Sequence, residues 1–397
     1  MKSIVQRFDL PATCRLGWGT REGVGEDARR LAGGGTALLV TTSSMRTSQQ
    51  VKEVTDRLQE KGFRVVVDDH ANHVPDNARV NEGAAVYRAN DCGLIVSVGG
   101  GNTHDLAKAI GAVVVSGRSI VELEGVDRLR GPNPPHIAVN TTAGTGSELS
   151  RYTFITSHRK GRRVMVSDRR ITPRVAINDP HTHLSMPRAL TASGGINVLA
   201  HAVEAYLSRA AMPLTDDMAL DAIDLVRQYL ERAVKDGHDE EARTAMAQAE
   251  QLAGMAYNSA GLGLADGISL TLSAVYDVPH GECNAILLPY VLAYNMPVAK
   301  ERIAEIGKAL GAEGRTDELA RGAVSGAYEL AQRVGIHRSM GELGVDQDVA
   351  YMCLWSVMKN PLLANNPRPI TEEGLAEIFV ESVSGDPPEE AIRRLSA

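Results

Sequence analysis

Two histidines, one aspartate and one asparagine in the second half of the chain have the chemistry of a divalent-metal site. Asn197 and His201 are four residues apart in an apolar helical pattern, so both project from one face of a helix. Asp266 follows later, and His280 comes fourteen residues after it. Two imidazoles, a carboxylate and an amide oxygen are ligands that such ions accept. From spacing alone, hydrogen-bonded core residues remain the alternative.

Eight other histidines have no partner at ligand spacing, and the sequence predicts surface or loop positions for them. They are His70, His73, His136, His158, His181, His183, His238 and His337.

A glycine-rich turn in the first half of the chain has the composition of a phosphate-binding loop. The apolar run Leu94–Val98 leads into three consecutive glycines and Asn102, and a helical pattern follows through Leu106–Ile110. Glycines let the backbone approach an anion closely, and a helix N-terminus offers N–H groups and a positive dipole end. A tight turn without a ligand is the alternative.

A second turn, from Asn140 to Glu148, follows another apolar run and is rich in threonine and glycine. It suits a polar ligand, although a cluster of hydroxyl-mediated turns and helix caps would have the same composition. Two such turns at neighbouring strand ends favour one shared ligand.

The elements that must position these residues differ between the two halves of the chain. Short apolar runs predict buried strands at Ala37–Thr41, Phe63–Val67, Leu94–Val98 and Ile137–Asn140. Helical stretches such as Gln49–Lys61 and Asn81–Asn90 lie between them, which predicts a parallel sheet with helices on both sides. Ligands of such sheets bind beyond the carboxyl ends of the strands.

Beyond Met186 the pattern becomes helical. The long helical stretches are Ala189–Arg209, Thr215–Lys235, Glu240–Asn258 and Ile303–Leu310. The sequence therefore predicts an α/β nucleotide-binding domain over 1–186, followed by an all-α domain over 187–397 that carries the metal and substrate residues.

Composition limits the classes of function. The net charge of −7 and the absence of a basic stripe argue against nucleic-acid binding. No apolar run reaches 18 residues and no signal-peptide core is visible, so we expect no membrane partner and a cytoplasmic location. The four cysteines are far apart, which suits a reducing compartment.

Four long segments together resemble the iron-containing, or group III, alcohol dehydrogenases. They are GGGNTHDLAKAIG, NTTAGTGSELSRYTFIT, VAINDPHTHLSMPRALTASGGINVLAHAVEAY and YDVPHGECNAILLPYVLAYN. The resemblance covers essentially the whole chain. It implies hydride transfer between a nicotinamide cofactor and a small aldehyde or primary alcohol, at an active site in the cleft between the two domains, and a homodimer.

The resemblance also assigns cofactor-binding residues. The pyrophosphate maps onto the glycine turn, and the residues expected around the cofactor are Gly99, Gly100, Gly101, Asn102, Asp105, Thr141, Thr142, Thr145, Arg163 and Leu190. Arg163 stands where relatives commonly have a lysine. At the end of the first predicted strand, NAD-preferring relatives have an Asp, whereas this chain has Thr42. Without that carboxylate, and with Arg46 nearby, a 2′-phosphate is tolerated, which favours NADP(H) over NAD(H).

The metal residues depart from the pattern of the relatives. Typical members bind the metal with one Asp and three His, and here Asn197 takes the Asp position and Asp266 one of the His positions. A further His, tied to proton transfer, is replaced by Leu270. The formal ligand charge is unchanged, which favours a retained Fe²⁺ or Zn²⁺.

Two other functions stay open. One is a metal-free reductase similar to the maleylacetate reductases, which share the Asn at position 197. The other is a cofactor-binding protein that has lost catalysis.

The catalytic residues expected are His201, Asp266 and His280, which would polarise a carbonyl through the metal, together with Arg151. Arg151 could anchor an anionic substrate such as phosphonoacetaldehyde by paired hydrogen bonds. The alternative is that Arg151 pairs with Glu148 or another acid.

Overall fold

The computed structural model describes residues 8–72, 74–276 and 278–395, which divide into two units after Met186. The first unit is Asp9–Met186 and the second is Pro187–Ala397, with Phe8 grouped with the second. Residues 1–7, which the sequence assigned to the first domain, lie outside the described residues.

Strands and helices alternate along the first unit. In chain order they are β1 (Thr13–Leu16), α1 (Val24–Ala32), β2 (Gly35–Val40), α2 (Gln49–Glu60), β3 (Phe63–Asp68), α3 (Asn77–Ala89), β4 (Cys92–Gly99), α4 (Gly101–Ser116), β5 (Gly125–Val126), β6 (His136–Asn140), β7 (Tyr152–Ser157), β8 (Arg162–Ser167), β9 (Val175–Asn178) and α5 (Pro180–His183).

The main sheet has six parallel strands in the order β1-β9-β6-β4-β2-β3. Alternate residues of β2 face opposite sides: Leu38 packs in one apolar cluster with α3 and α4, and Leu39 packs in the other with α1 and α2. The sheet is therefore covered by helices on both faces, and the predicted α/β class is confirmed. The four predicted strands correspond to β2, β3, β4 and β6.

The sequence patterns missed the remaining strands. Strands β1 and β9 have only four residues each, and they are extended because each lies in parallel register beside the other. The small second sheet, of order β5-β8-β7, pairs β7 with β8 in antiparallel register and was also not predicted. Its strands are interrupted by polar and charged residues, so no continuous apolar run marks them.

The strand order creates a crevice where ligands of such sheets bind. Strands β3 and β4 pair with opposite sides of β2, so the connections diverge at the carboxyl ends of β2 and β4. Gly99 ends β4, and Thr41 follows β2, so the glycine turn lies at this switch point.

The second unit contains helices α6 (Arg188–Leu207), α7 (Pro213–Lys235), α8 (Glu240–Ala260), α9 (Leu264–Tyr276), α10 (His280–Ala309), α11 (Thr316–Arg333), α12 (Gln347–Met358), α13 (Glu372–Ser384) and α14 (Pro388–Leu395). No strand occurs in its described residues, as predicted. From Thr191 onward α6 is buried on nearly every side and packs against α7, α8, α9 and α10. Across the described parts of both units, no helix is long and apolar enough to span a bilayer.

The predicted positions of two histidines are wrong. His136 is buried in β6, where its Nε2 lies 2.7 Å from Ser97 Oγ. His183 is also buried, whereas His70, His158, His238 and His337 are exposed as predicted and His181 is half-buried. His73 lies outside the described residues. A central strand or a covered helix can bury a histidine when its environment keeps it neutral, and burial lowers the pKa of His136 well below its ordinary value.

The packing of α1 on α2 depends on a glycine. A Cβ at Gly25 would overlap the carbonyl oxygen of Arg57, which belongs to the backbone of α2 and cannot rotate away. We predict that Gly25→Ala lowers the free energy of unfolding of the first unit by about 1–3 kcal/mol, despite the better helix propensity of alanine. Differential scanning calorimetry measures the change.

Gly34→Ala is the matched control, because a Cβ at Gly34 meets no atom within 4 Å. It should leave the stability within about 0.5 kcal/mol of the wild type. An equal effect of both substitutions would contradict the packing explanation.

Candidate active site

The glycine turn is itself the N-terminus of a helix. Helix α4 begins at Gly101, earlier than the helical pattern in the sequence indicated, and its N-cap residue is Gly100, with no side chain capping it. The first backbone N–H groups of α4 therefore receive no cap from the side chain of the N-cap residue, and they lie at the switch point of the sheet. This arrangement suits a pyrophosphate.

The second turn packs directly on the first. We call residues 140–148 the threonine loop. Its Thr141 donates its backbone N–H to the carbonyl of Gly99 at 3.0 Å. A Cβ at Gly100 would lie 2.9 Å from Thr142 Oγ1, and one at Gly101 would lie 2.7 Å from Thr145 Oγ1. Only glycines allow this approach, so the two turns form one continuous surface at the ends of neighbouring strands β4 and β6.

Asp105 and Lys108 of α4 hold the threonine loop in place. The Asp105 carboxylate accepts hydrogen bonds from Ser147 Oγ at 2.5 Å and from the Phe154 N–H at 3.0 Å. The Lys108 ammonium is buried and donates to the carbonyl of Ser147 at 2.8 Å. Burial lowers the pKa of Lys108, and the charge of Asp105 opposes that shift. Sequence reasoning missed Lys108, although a lysine three residues after Asp105 in an apolar helix is a detectable signal.

Asn102 is the second residue of α4. The four remaining residues expected at the cofactor lie on other elements. Thr42 follows the end of β2 and bonds to Ser44, while the exposed Arg46 forms an ion pair with Asp69 at 2.8 Å. Arg163 lies in β8, opposite Thr156 of β7. Leu190 belongs to α6 of the second unit, and 44% of its surface is exposed.

Arg151 is engaged by neighbours within the first unit. Its Nε donates to Ser167 Oγ at 3.0 Å, and its guanidinium lies 3.8 Å from the carboxylate of Asp9. Glu148, the partner that the sequence suggested, instead accepts a bond from Asn178 Nδ2 at 3.2 Å. Burial raises the pKa of Glu148 to about 7.

In the second unit, three helices bring the candidate metal ligands together. His201 of α6, Asp266 of α9 and His280 of α10 have ligand atoms that all lie within 4.8 Å of one another. Asp266 Oδ1 is 2.8 Å from His280 Nε2 and 3.5 Å from His201 Nε2. Asn197 lies one turn before His201 and is buried.

Close helix packing sets these distances. A Cβ at Gly281 would lie 2.6 Å from the carbonyl oxygen of Ser193, so the start of α10 lies against α6 and brings His280 beside Asn197. The ring of Tyr257 makes an edge contact with the ring of His201, with the centroids 5.0 Å apart.

A buried glutamate positions Asp266. The carboxylate of Glu204, in α6, accepts backbone N–H bonds from Gly263 at 2.9 Å, Ala265 at 2.6 Å and Asp266 at 3.3 Å. It therefore caps the N-terminus of α9, where Asp266 is the third residue. Sequence reasoning missed Glu204, although Asn197, His201 and Glu204 are polar residues on one face of a buried helix.

The two carboxylates respond to their surroundings in opposite ways. Burial raises the pKa of Glu204 to about 8, the charge of Asp266 adds to the rise, and the three N–H donors only partly offset it. Burial also acts to raise the pKa of Asp266, but His280 and His201 outweigh it and lower that pKa below its ordinary range. Asp266 is thus the charged member of the pair.

Asn284 is a further residue of the cluster that the sequence did not reveal. It lies one turn after His280 in α10, and its Nδ2 donates to Asn197 Oδ1 at 2.7 Å. Its Oδ1 accepts a hydrogen bond from Ser269 Oγ at 2.6 Å. Leu270, which follows Ser269, is buried and offers no group for proton transfer.

Comparison with known proteins identifies the family. The family profile described as "Iron-containing alcohol dehydrogenase" matches residues 11–180, and the one described as "Fe-containing alcohol dehydrogenase family, C-terminal" matches residues 191–383. The chain belongs to the iron-containing alcohol dehydrogenase family. It is therefore an enzyme, an alcohol or aldehyde oxidoreductase, and membership implies a nicotinamide cofactor and a metal ion.

Three relatives of this chain align with it over nearly their full length. It is 36% identical to the NAD-dependent methanol dehydrogenase of Bacillus methanolicus over 94% of this chain and 98% of the relative. The crystal structure of a 1,3-propanediol oxidoreductase superposes with a TM-score of 0.93 and 36% identity, covering 96% of this chain and all of the other. Sulfoacetaldehyde reductase from Bifidobacterium kashiwanohense, solved with NAD⁺, superposes with a TM-score of 0.85 and 28% identity, covering 97% and 100%.

The residues of this dehydrogenase fit a divalent cation. Two imidazoles and a carboxylate converge, and the separations of 2.8 and 3.5 Å between their ligand atoms are near the roughly 3–3.5 Å expected around one small cation. The oxygen of Asn197 faces the same cluster, as its bond from Asn284 shows. Imidazole ligands of this kind suit divalent transition metals, among them Fe²⁺ and Zn²⁺.

Glu204 makes the stability of the metal-free dehydrogenase depend on pH. Its folded-state pKa of about 8 exceeds its ordinary value of 4.5, so the folded chain binds this proton more tightly than the unfolded chain. Stability from this group therefore falls as pH rises from about 5 to 8, by up to about 1.4 kcal/mol per pH unit. We predict that Glu204→Gln removes this part of the slope.

Urea unfolding of wild type and variant, after chelation, at pH 5, 6, 7 and 8 measures the slope. The comparison uses the slope alone, because the glutamine amide changes the cap by an amount that does not vary with pH. If the free energy of unfolding changed with pH by the same amount in both proteins, Glu204 would not be the source of this pH dependence.

Proposed function

We propose that this enzyme interconverts a small uncharged aldehyde and its primary alcohol by hydride transfer. The first unit would bind the nicotinamide cofactor, and the second would hold Fe²⁺ or Zn²⁺ through Asn197, His201, Asp266 and His280. The convergence of two imidazoles on the buried carboxylate of Asp266 carries the proposal. A protein that only bound a dinucleotide would not require such a cluster.

Each residue of the second unit has a distinct task in this proposal. The bound metal supplies Lewis-acid polarisation of the substrate oxygen. Asp266 contributes the one negative charge of the ligand set, His201 and His280 contribute neutral nitrogens, and Asn197 contributes a neutral oxygen. Glu204 fixes Asp266 through the start of α9. Because Leu270 replaces a histidine, the alcohol proton must be exchanged with a group other than the side chain at that position.

In the first unit, the glycine turn would hold the pyrophosphate. The glycine N-cap of α4 and the close approach of Thr142 and Thr145 to Gly100 and Gly101 support this role. Asp105 and Lys108 then act by holding the threonine loop rather than through the cofactor phosphates.

The cofactor preference is a finer part of the proposal. Thr42 brings no carboxylate that would repel a 2′-phosphate, and Arg46 lies near the same strand end, which together support NADP(H). Arg46 is also paired with Asp69, so part of its charge is already neutralised. We therefore expect a preference for NADPH over NADH of less than about tenfold, which corresponds to about 1.4 kcal/mol.

We predict that Arg46→Ala lowers kcat/KM for NADPH several-fold and leaves kcat/KM for NADH nearly unchanged. The physical reason is that the guanidinium would contact only the 2′-phosphate. Steady-state kinetics with both cofactors measures the ratio, and NADH serves as the internal control. An equal loss with both cofactors would show that Arg46 does not read the 2′-phosphate.

The substrate class rests on Arg151. Because its guanidinium already contacts Ser167 and Asp9, we propose an uncharged substrate in preference to an anionic one. Phosphonoacetaldehyde and sulfoacetaldehyde are the anionic candidates to include in an assay. Faster turnover of these than of acetaldehyde or 3-hydroxypropanal would reverse the preference.

The test of function is consumption of NADPH and NADH with a panel of aldehydes, before and after chelation. We predict that a chelator abolishes turnover, that Fe²⁺ or Zn²⁺ restores it, and that His201→Ala lowers kcat at least 100-fold, since a ligand is lost. The exposed His238 provides the control, and His238→Ala should behave as the wild type.

Two outcomes would point to the alternative functions. Turnover that is indifferent to the chelator favours a metal-free reductase. Cofactor binding without turnover of any aldehyde favours a protein that has lost catalysis.

A further inference from the structure

We propose that Asn284 determines which end of the Asn197 side chain faces the metal ion, and that it is therefore a positioning residue of this centre. The inference rests on the metal site of the proposed function. It concerns a residue that would not ligate the metal itself.

The need for such a residue follows from the chemistry of an amide. A carboxylate presents an oxygen in either of its two orientations. An amide has one oxygen, which can bind a cation, and one NH₂ group, which carries only donors and cannot. An asparagine ligand therefore works in one of its two orientations, and something in the structure must select that orientation.

The contacts of Asn284 supply the selection. Asn197 and Asn284 are both buried, and Asn284 Nδ2 lies 2.7 Å from Asn197 Oδ1. If Asn197 were rotated by 180°, two NH₂ groups would meet at that distance inside the protein, which is unfavourable. The amide of Asn284 thus keeps the oxygen of Asn197 on the side of the cluster.

Asn284 is itself held in one orientation. Its Oδ1 accepts a hydrogen bond from the buried Ser269 hydroxyl at 2.6 Å. Its Nδ2 lies 3.2 Å from a second acceptor, Asp266 Oδ1, in addition to Asn197 Oδ1. Ser269 lies in α9, one turn after Asp266, so the helix that carries the charged ligand also orients Asn284.

A double-mutant cycle tests the inference without relying on activity. The Zn²⁺ dissociation constant of the full chain is measured by competition with a chromophoric chelator for four proteins: wild type, Asn284→Ala, Asn197→Asp, and the double variant. We expect Asn284→Ala to weaken Zn²⁺ binding about 10- to 100-fold in the wild type, the range seen when groups that orient a ligand are removed. In the Asn197→Asp background we expect Asn284→Ala to weaken Zn²⁺ binding less than about threefold, because either oxygen of a carboxylate can bind the ion.

The interaction between the two substitutions is the decisive quantity. An equal loss in both backgrounds would overturn the inference, since Asn284 would then act as a ligand or through packing alone. No loss in the wild type would overturn it as well. If the wild type bound no Zn²⁺ at all, both the proposed metal centre and this inference would fail, whereas binding with an additive cycle would remove the inference alone.

Two further variants separate orientation from stability. Asn295 lies in the same helix, is buried, and exchanges hydrogen bonds with Asn366 at 3.1 and 2.7 Å. Asn295→Ala should lower the melting temperature without changing the Zn²⁺ dissociation constant. Ser269→Ala should weaken Zn²⁺ binding less than Asn284→Ala does, and only when Asn197 is present. An effect of Asn295→Ala on Zn²⁺ binding equal to that of Asn284→Ala would contradict the inference.

Discussion

A charged carboxylate inside the protein, that of Asp266, is the constraint from which the architecture of the second unit follows. Burying a charge is unfavourable unless donors and opposite charges surround it. His201, His280 and Asn284 all place nitrogen atoms within 3.5 Å of its Oδ1. These residues come from α6 and α10, so both helices must meet α9 at one point. The close approach at Gly281 and the cap provided by Glu204 meet that requirement.

In the proposed metal site the carboxylate lies on α9 and the amide on α6, and this placement has consequences beyond formal charge. The carboxylate of Asp266 lies on α9, next to Glu204, and its charge adds to the rise in the pKa of Glu204 that burial causes. As a ligand, the amide of Asn197 on α6 would have one useful orientation, where a carboxylate would have two. A site that keeps its net charge can therefore still need neighbours that a carboxylate at position 197 would not need, and Asn284 has the contacts for that role.

The first unit uses a different principle, because the surface proposed to bind the cofactor is made of backbone. The apolar strands are buried on both faces, so only their carboxyl ends are available for polar contacts. Glycines at 99–101 permit the threonine loop to approach, and the buried Lys108 ties that loop to α4 through backbone carbonyls. A lysine with so little exposure is stabilised only because several oxygen atoms converge on its ammonium group.

The sequence by itself determined the features that repeat over a few residues. The runs in β2, β3, β4 and β6, the glycine turn, and the spacing of Asn197 and His201 are local patterns, and each predicted its element correctly. Tertiary structure alone decided the burial of His136, the pairing of β1 with β9, and the contacts that Lys108, Glu204 and Asn284 make. Asn284 and Asn197 are 87 positions apart in the chain, and Glu204 and Ala265 are 61 apart. Such contacts depend on how whole helices and strands pack, and a local pattern carries no record of its distant partner.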